Sequence, residues 1–298
     1  MTEYTKRELE LGYTYKWKPK VEDGIELKIT KSSLGQFLFC PAAYNYSYRE
    51  QIRGAVSDAM IKGNKVHDSE EAFWNNMDIK KGVEILKEDE VTAEDSINKY
   101  IRSLYTPTEH EGAEEIIDNM ATFYTQEFIS AYENDELGDF IPVGNEIMMD
   151  ANVVFEGQSI HFQGIIDRLF QIEDHYVLME LKTGLWKDSK KTYMRKEMAY
   201  YKVLYEQSSE EQKIKFGLDP TIPIKQWGWY FPASNHIYIE NCLTRSETGV
   251  WHSIQKLITA YYQDYFEYKW FYKKCIHCSH IDICEASAKQ GEGHYDWF

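Results

Sequence analysis

The 298-residue chain is 43% hydrophobic and carries a formal net charge of -16 at pH 7. That length and apolar content suffice for a core of its own, and the acidity excludes a protein that coats nucleic acid through a uniformly basic surface. The sequence has no run of about 18 uncharged apolar residues and no apolar stretch after the opening "MTEYTKRELELGYTYKWKPK", so a soluble, cytoplasmic protein with no membrane partner is expected.

In chain order, residues 1–28 read as a polar N-terminal arm. A helix is expected from Ser32 or Ser33, with Leu34, Phe37 and Leu38 on one face, and Pro41 stops it just after Cys40. A second helix is expected over about 57–74, "SDAMIKGNKVHDSEEAFW", with Gly63 as its weak point. Two more lie between 92 and 134, "AEDSINKYIRSLY" and "GAEEIIDNMATFYTQEFISAY", as part of a helical insertion over about 76–140.

Strands follow at about 144–155, 160–171 and 175–182, joined by the turn-like "EGQS" and "EDH" in the manner of an antiparallel meander. A helix at 191–207 sets Met194, Met198, Tyr201 and Tyr205 along one buried stripe. The strands "IKQWGWYF" and "HIYIEN" flank the turn "PASN", and a last helix is expected over 247–272. Residues 29–298 are read as one domain.

The stretch "GIIDRLFQIEDHYVLMELKTG" places Asp167, Glu180 and Lys182 in two apolar strands. Side chains alternate faces along a strand, so Glu180 and Lys182 share a surface with Tyr176 and Leu178, while Val177, Met179 and Leu181 face the other way. Asp167 reaches the same surface if the two strands pair through the short "EDH" turn. An ion pair at a sheet edge is one reading. Clustered acids on apolar strands, however, cost desolvation free energy unless a cation joins them, and oxygen ligands suit Mg2+ or Mn2+. Further on, "WKDSKKTYMRK" sets Lys187, Lys190, Lys191, Arg195 and Lys196 against Asp188 alone, either a solvated helix start or a local basic groove in an acidic protein.

Five cysteines are present, Cys40, Cys242, Cys275, Cys278 and Cys284, an odd count that disfavours a disulfide framework in a chain with no recognisable leader. The last three stand as C-x2-C-x5-C in a short polar segment, and zinc with His277 or His280 as fourth ligand is one reading. Cys242 fits no pattern and reads as an ordinary thiol.

"GIIDR" followed by "ELKTG" resembles the motif pair of the PD-(D/E)XK nuclease superfamily in its RecB-like branch. The resemblance implies an α/β (α+β) restriction-endonuclease-like core with a central mixed sheet flanked by helices. It implies that Asp167 and Glu180 hold the catalytic metal, that the Leu181 carbonyl is a further oxygen ligand, and that Lys182 is the catalytic lysine. Upstream, "GNKVH" matches the branch's G-x-x-x-H and makes His67 a metal ligand. Downstream, "RKEMAYY" matches its Q-x-x-x-Y only in part, with Tyr201 in the tyrosine place and Glu197 where glutamine is usual.

"FLFCPAAYNYSY" is similar to the upstream cysteine segment of the RecB-like iron-sulfur exonucleases, the type that includes a CRISPR-associated RecB-like exonuclease and exonuclease V. By that resemblance Cys40, Cys275, Cys278 and Cys284 hold a 4Fe-4S cluster, with 273–285 as its C-terminal segment, and staple the two ends of the chain together. The implied function is an Mg2+- or Mn2+-dependent deoxyribonuclease, an exonuclease on single-stranded DNA. Arg168, Lys187, Lys190, Lys191, Arg195, Lys196 and Glu197 are expected near the DNA backbone, and Tyr201 beside a nucleotide. Two other readings stay open: an accessory DNA-binding or assembly module with protein partners in repair, recombination or CRISPR adaptation, and a zinc-stapled nuclease of another lineage.

Overall fold

A computed structural model describes residues 26–52, 57–88 and 92–286. The expected arm at 1–28 lies outside these residues, apart from Glu26, Leu27 and Lys28. In chain order the main elements are β1 (Glu26–Ile29), α1 (Lys31–Phe39), α2 (Asp58–Asn76), α3 (Ile79–Glu88), α4 (Ala93–Leu104), α5 (Glu111–Glu133), β2 (Gly144–Phe155), β3 (Gln158–Ile172), β4 (His175–Leu181), α6 (Lys191–Gln207), β5 (Ile224–Phe231), β6 (His236–Asn241) and α7 (Thr244–Gln263). The strands form one six-stranded sheet in the order β1-β3-β4-β5-β6, with β2 also paired to β3. Pairing is parallel for β1 with β3 and β4 with β5, and antiparallel for β3 with β4 and β5 with β6. This is the mixed, helix-flanked α/β sheet the sequence led us to expect.

Four local differences have simple causes. Helix α1 starts two or three residues earlier than expected, because Thr30 caps it and Ser33 returns the bond in a capping box. Strand β1 hides in a polar lead-in and is only four residues long. Helix α3 is short, and its Gly82 lies so close to Phe128 that a Cβ there would meet the ring at 2.5 Å. Helix α7 stops at Gln263, just before Asp264 turns to a left-handed φ of 49°.

The chain groups into two compact units. The larger comprises Val56–Ala151 and Gly164–Ser246. Its core packs Val66, Phe73, Ile97, Ile117, Met120 and Phe128 with Val177, Met179, Leu181 and Tyr230 from the sheet. Each such fully buried side chain contributes roughly 1.5–3 kcal/mol. The alternate residues of β4 face α6, where Tyr176 meets the Tyr205 ring edge-on at 6.1 Å and Met194, Met198, Tyr201 and Tyr205 form the buried stripe. At Gly164 a Cβ would press on Leu204 at 3.1 Å and Tyr201 at 3.3 Å, so the glycine of "GIID" lets β3 lie close against α6.

Among the described residues, the smaller unit comprises 26–52, 152–163 and 247–286. Trp251 of α7 packs on Phe155 and Phe162, and Tyr262 donates to Gln158 Oε1 at 2.5 Å. Tyr44 stacks on Phe266, and Arg49 lies over the Phe266 ring while pairing with Asp264 at 2.7 Å. The turn between β2 and β3 uses two positive φ values, 48° at Glu156 and 80° at Gly157, as tight hairpins require. Among the described residues no helix is long and apolar enough to cross a membrane.

Candidate active site

Three elements of the larger unit deliver the site. Helix α2 is capped by Ser57, whose hydroxyl accepts from the Met60 amide at 3.3 Å, and it carries His67 on a half-buried face. Strand β3 brings Asp167, 8% exposed, whose Oδ2 accepts from the Leu181 amide at 3.0 Å and lies 3.8 Å from His67 Nδ1. The pairing of Arg168 with Met179 places Asp167 opposite Glu180, which is 2% exposed. The strand alternation expected from the sequence brings Asp167, Glu180 and Lys182 to one end of the sheet, and helix α2 sets His67 beside Asp167.

Lys182 is held between two acids. Its Nζ donates to Glu180 Oε1 at 2.9 Å and to Glu197 Oε2 at 2.8 Å. The Glu197 carboxylate is turned to the lysine. Tyr201 is 4% exposed, and burial first, then the Glu180 and Asp167 carboxylates, push its hydroxyl far above the ordinary tyrosine range. Its phenol stays protonated beside the acids, and so little of the ring is exposed that a nucleobase has no open face to stack on.

Sequence reasoning missed Glu146 in β2. Ligand atoms of His67, Glu146 and Asp167 all lie within 4.8 Å of one another, the one such set of His, Cys, Asp or Glu donors among the described residues. Glu146 has a left-handed φ of 47°, a conformation that costs a non-glycine residue roughly 1–3 kcal/mol and tends to persist at functional sites. Burial, and then the carboxylates of Asp167, Glu71 and Glu70, push its pKa up to about 8. Two carboxylates and an imidazole at this spacing, with a third carboxylate on the adjoining strand, form a donor set that fits one octahedral divalent cation such as Mg2+ or Mn2+.

Arg168 requires a correction. It neighbours Asp167 in a strand, so it points to the opposite face, where it is 2% exposed. There its Nη1 bonds to Glu70 Oε1 and to Tyr124 Oη, which in turn donates to Glu70 at 3.0 Å. Burial opposes its charge, but Glu70, Tyr124 and Asp167 together more than offset that and hold the guanidinium above its ordinary value. It is a buried structural cation, out of reach of a DNA phosphate. Arg195 is likewise occupied, forming a two-point pair with Glu240 that includes an Nε to Oε1 bond of 2.6 Å. Lys187, Lys190 and Lys196 are exposed, and Lys191 is half-buried and pairs with Asp188 at 3.0 Å.

In the smaller unit, Cys40, Cys275, Cys278 and Cys284 line one small cavity with Phe39, Trp270 and His280. Burial, and after it the other three thiols, push the Cys278 thiol up. His280 is bonded through Nε2 to Ser47 Oγ at 2.8 Å. Cys242 lies apart, on the segment after β6, and its amide donates to Lys225 O at 2.9 Å.

The profile of the PD-(D/E)XK nuclease superfamily matches residues 28–285. Comparison with curated proteins gives no match. Among solved structures, one titled "Crystal structure of SSO0001" is similar at 11% identity with a TM-score of 0.42, over 94% of this chain and 92% of that one. The family match spans most of the chain and contains every residue of the acidic site, from His67 to Tyr201. The chain belongs to the PD-(D/E)XK nuclease superfamily.

Proposed function

We propose that the protein is a metal-dependent deoxyribonuclease that digests single-stranded DNA from an end. The observation that carries this reading is the convergence of His67, Glu146 and Asp167 to within 4.8 Å beside the strand that bears Glu180 and Lys182. His67, Asp167 and Glu180, with Glu146 and the Leu181 carbonyl, would hold Mg2+ or Mn2+. When bound, such an ion polarises a phosphoryl oxygen and lowers the pKa of water. The Asp167 carboxylate is fixed by the Leu181 amide, so its second oxygen is directed without a search of rotamers. Lys182, clamped between Glu180 and Glu197, orients the attacking water and offsets the charge that develops on the phosphoryl group. Exposed Lys187, Lys190 and Lys196 guide the backbone of the strand.

The reading also gives the chain a 4Fe-4S cluster on Cys40, Cys275, Cys278 and Cys284. Support comes from the four thiols sharing one cavity wall although two of the segments that carry them are far apart in sequence.

A digestion assay tests the catalytic reading, using single strands blocked at the 5′ or the 3′ end with and without Mg2+ or Mn2+. Metal-dependent loss of one blocked substrate but not the other is expected, with no activity in Asp167→Asn. Equal digestion by wild type and Asp167→Asn removes the proposed site. Anaerobic purification tests the cluster: brown protein with iron and sulfide is expected, and colourless protein containing zinc overturns it.

A further inference from the structure

The acidic row of the sheet does not end at Glu180. In register across the neighbouring strands, Glu180 pairs with Trp229 of β5, and Trp229 pairs with Tyr238 of β6. The same face therefore runs from Asp167 through Glu180 and Trp229 to Tyr238. With neighbouring strands about 4.8 Å apart, Tyr238 stands roughly 10 Å from Glu180.

Above that end of the row lies Trp186, four positions beyond Lys182 on the loop that leaves β4. Its ring centre is 4.5 Å from His236 and 5.1 Å from Tyr238, at interplanar angles of 35° and 31°. His236 and Tyr238 are two residues apart on β6, so both side chains rise from the same face of the sheet to meet the indole. Phe231 braces its edge at 5.3 Å and 75°, and the Trp186 amide is anchored to Ser234 Oγ at 3.4 Å. Lys191 Nζ sits 4.1 Å from the centre of the Tyr238 ring and 5.3 Å from that of Trp186. Exposed Lys187 and Lys190 flank it on the same loop.

We infer that Trp186, carried on His236 and Tyr238, is a stacking platform for an unpaired nucleobase one or two nucleotides from the phosphate held at Asp167 and Glu180. This rests on the nuclease reading for the position of the scissile phosphate and deepens it by giving a physical origin for single-strand preference. Aromatic faces beside a cation-lined backbone path are how single strands are bound without sequence preference. A duplex keeps its bases stacked and paired, and offering one to Trp186 costs the free energy of extruding it. Tyr201 is buried and does not serve in this role; the platform is Trp186.

The test is binding of fluorescently labelled oligothymidylate to the full-length protein without divalent metal, so that nothing is cut, measured by anisotropy. Trp186→Ala is expected to weaken binding by about 5- to 150-fold, the range for loss of one stacked base. The same change is expected to leave unchanged the affinity for an oligonucleotide of identical length built of abasic sites, and for duplex. Trp186→Phe, which keeps a flat face and the packing on Phe231, restores most of the loss. Lys191→Gln lowers the slope of log affinity against log salt by about 1 without removing the preference for bases over abasic sites. Equal affinity of wild type and Trp186→Ala for oligothymidylate, or equal affinity of wild type for oligothymidylate and the abasic strand, overturns the platform. Because binding is read without metal, an Asp167→Asn variant that still digests DNA sinks the nuclease site while leaving the stacking result to stand or fall on its own.

Discussion

Lys182 Nζ and Glu197 Oε2 lie 2.8 Å apart, and Glu197 is the residue that stands where the resembling motif carries glutamine. A charged carboxylate thus stands where a neutral amide is usual. The lysine is thereby clamped between two carboxylates, since Glu180 Oε1 accepts from the same nitrogen at 2.9 Å. A clamped ammonium loses little orientational freedom when substrate arrives.

Lys182→Ala is accordingly expected to reduce kcat on single-stranded DNA by at least about 100-fold, the scale for removing one preorganised charge-stabilising donor. Glu197→Ala loosens the clamp and should cost roughly 10- to 100-fold, mostly in kcat. Glu197→Gln keeps an acceptor and should recover most of that loss. Steady-state kinetics of the three variants check this, and a Glu197→Ala enzyme with wild-type kcat would refute the positioning role.

Glu146 leads to a second prediction. Its side chain shares a 4.8 Å neighbourhood with His67 and Asp167, and its backbone is held in a strained left-handed conformation. Glu146→Gln preserves volume and removes a charge. Mn2+ affinity, measured by calorimetry on the full chain, should fall by roughly 10- to 100-fold, as for other groups that hold or orient a metal. His67→Ala should do the same. Mn2+ should also raise the melting temperature of the wild type more than that of either variant, because ligand binding stabilises the folded state by mass action. Unchanged Mn2+ affinity in Glu146→Gln would remove it from the site.

How far the site was legible follows from the physics of each residue. Asp167, Glu180 and Lys182 stand out because charges on apolar strands demand an explanation, and their spacing fixes which face they share. Glu146 gave no such signal: in β2 it stands between half-buried Asn145 and buried Ile147 and reads as one ordinary polar residue of a strand. Only the folded chain brings it to His67. Arg168 was misplaced although the signal was available, since consecutive strand residues face opposite ways and Asp167 already claimed the site face. Helix α6 and strands β5 and β6 were found with their observed bounds because period and turn residues agreed there, whereas β1 is too short and polar to show a period. Trp186 was quoted within the basic run, but the rings that support it come from a strand some fifty residues later in the chain and are visible only after folding.

The buried Arg168 gives a stability prediction. Its charge is compensated by Glu70 at 2% and 5% side-chain exposure. Two of its nitrogens, Nε and Nη2, have no hydrogen-bond partner among the described residues. Removing one member of such a pair leaves the other charge uncompensated, at a cost of about 3–5 kcal/mol. Arg168→Met should lower the urea midpoint accordingly, while Glu70→Gln combined with Arg168→Met should recover part of the loss. Lys196→Gln, on the surface, should change stability by less than about 0.5 kcal/mol yet weaken DNA binding and reduce its salt slope by about 1. If Arg168→Met instead left stability intact and lowered the salt slope, the guanidinium would belong to the DNA path after all.

The pair of Arg195 with Glu240 sets a pH window. Burial opposes the Glu240 charge, but bonds from Arg195, Trp227 and Tyr238 more than offset it and hold the carboxyl below its ordinary value of 4.5. A carboxyl with a lowered folded-state pKa contributes stability in full above the unfolded value, and that contribution is lost as the pH falls through the folded value. The melting temperature of wild type should therefore exceed that of Glu240→Gln by a constant margin above about pH 5.5, and the margin should shrink towards zero as the pH drops below the folded-state value. Below it the protonated acid and the amide are nearly equivalent partners for Arg195. Thermal denaturation of both proteins across this range checks the sign: a margin that grows on acidification would mean that Glu240 is held protonated in the folded state, and that the geometry of the Arg195 fork has been misread.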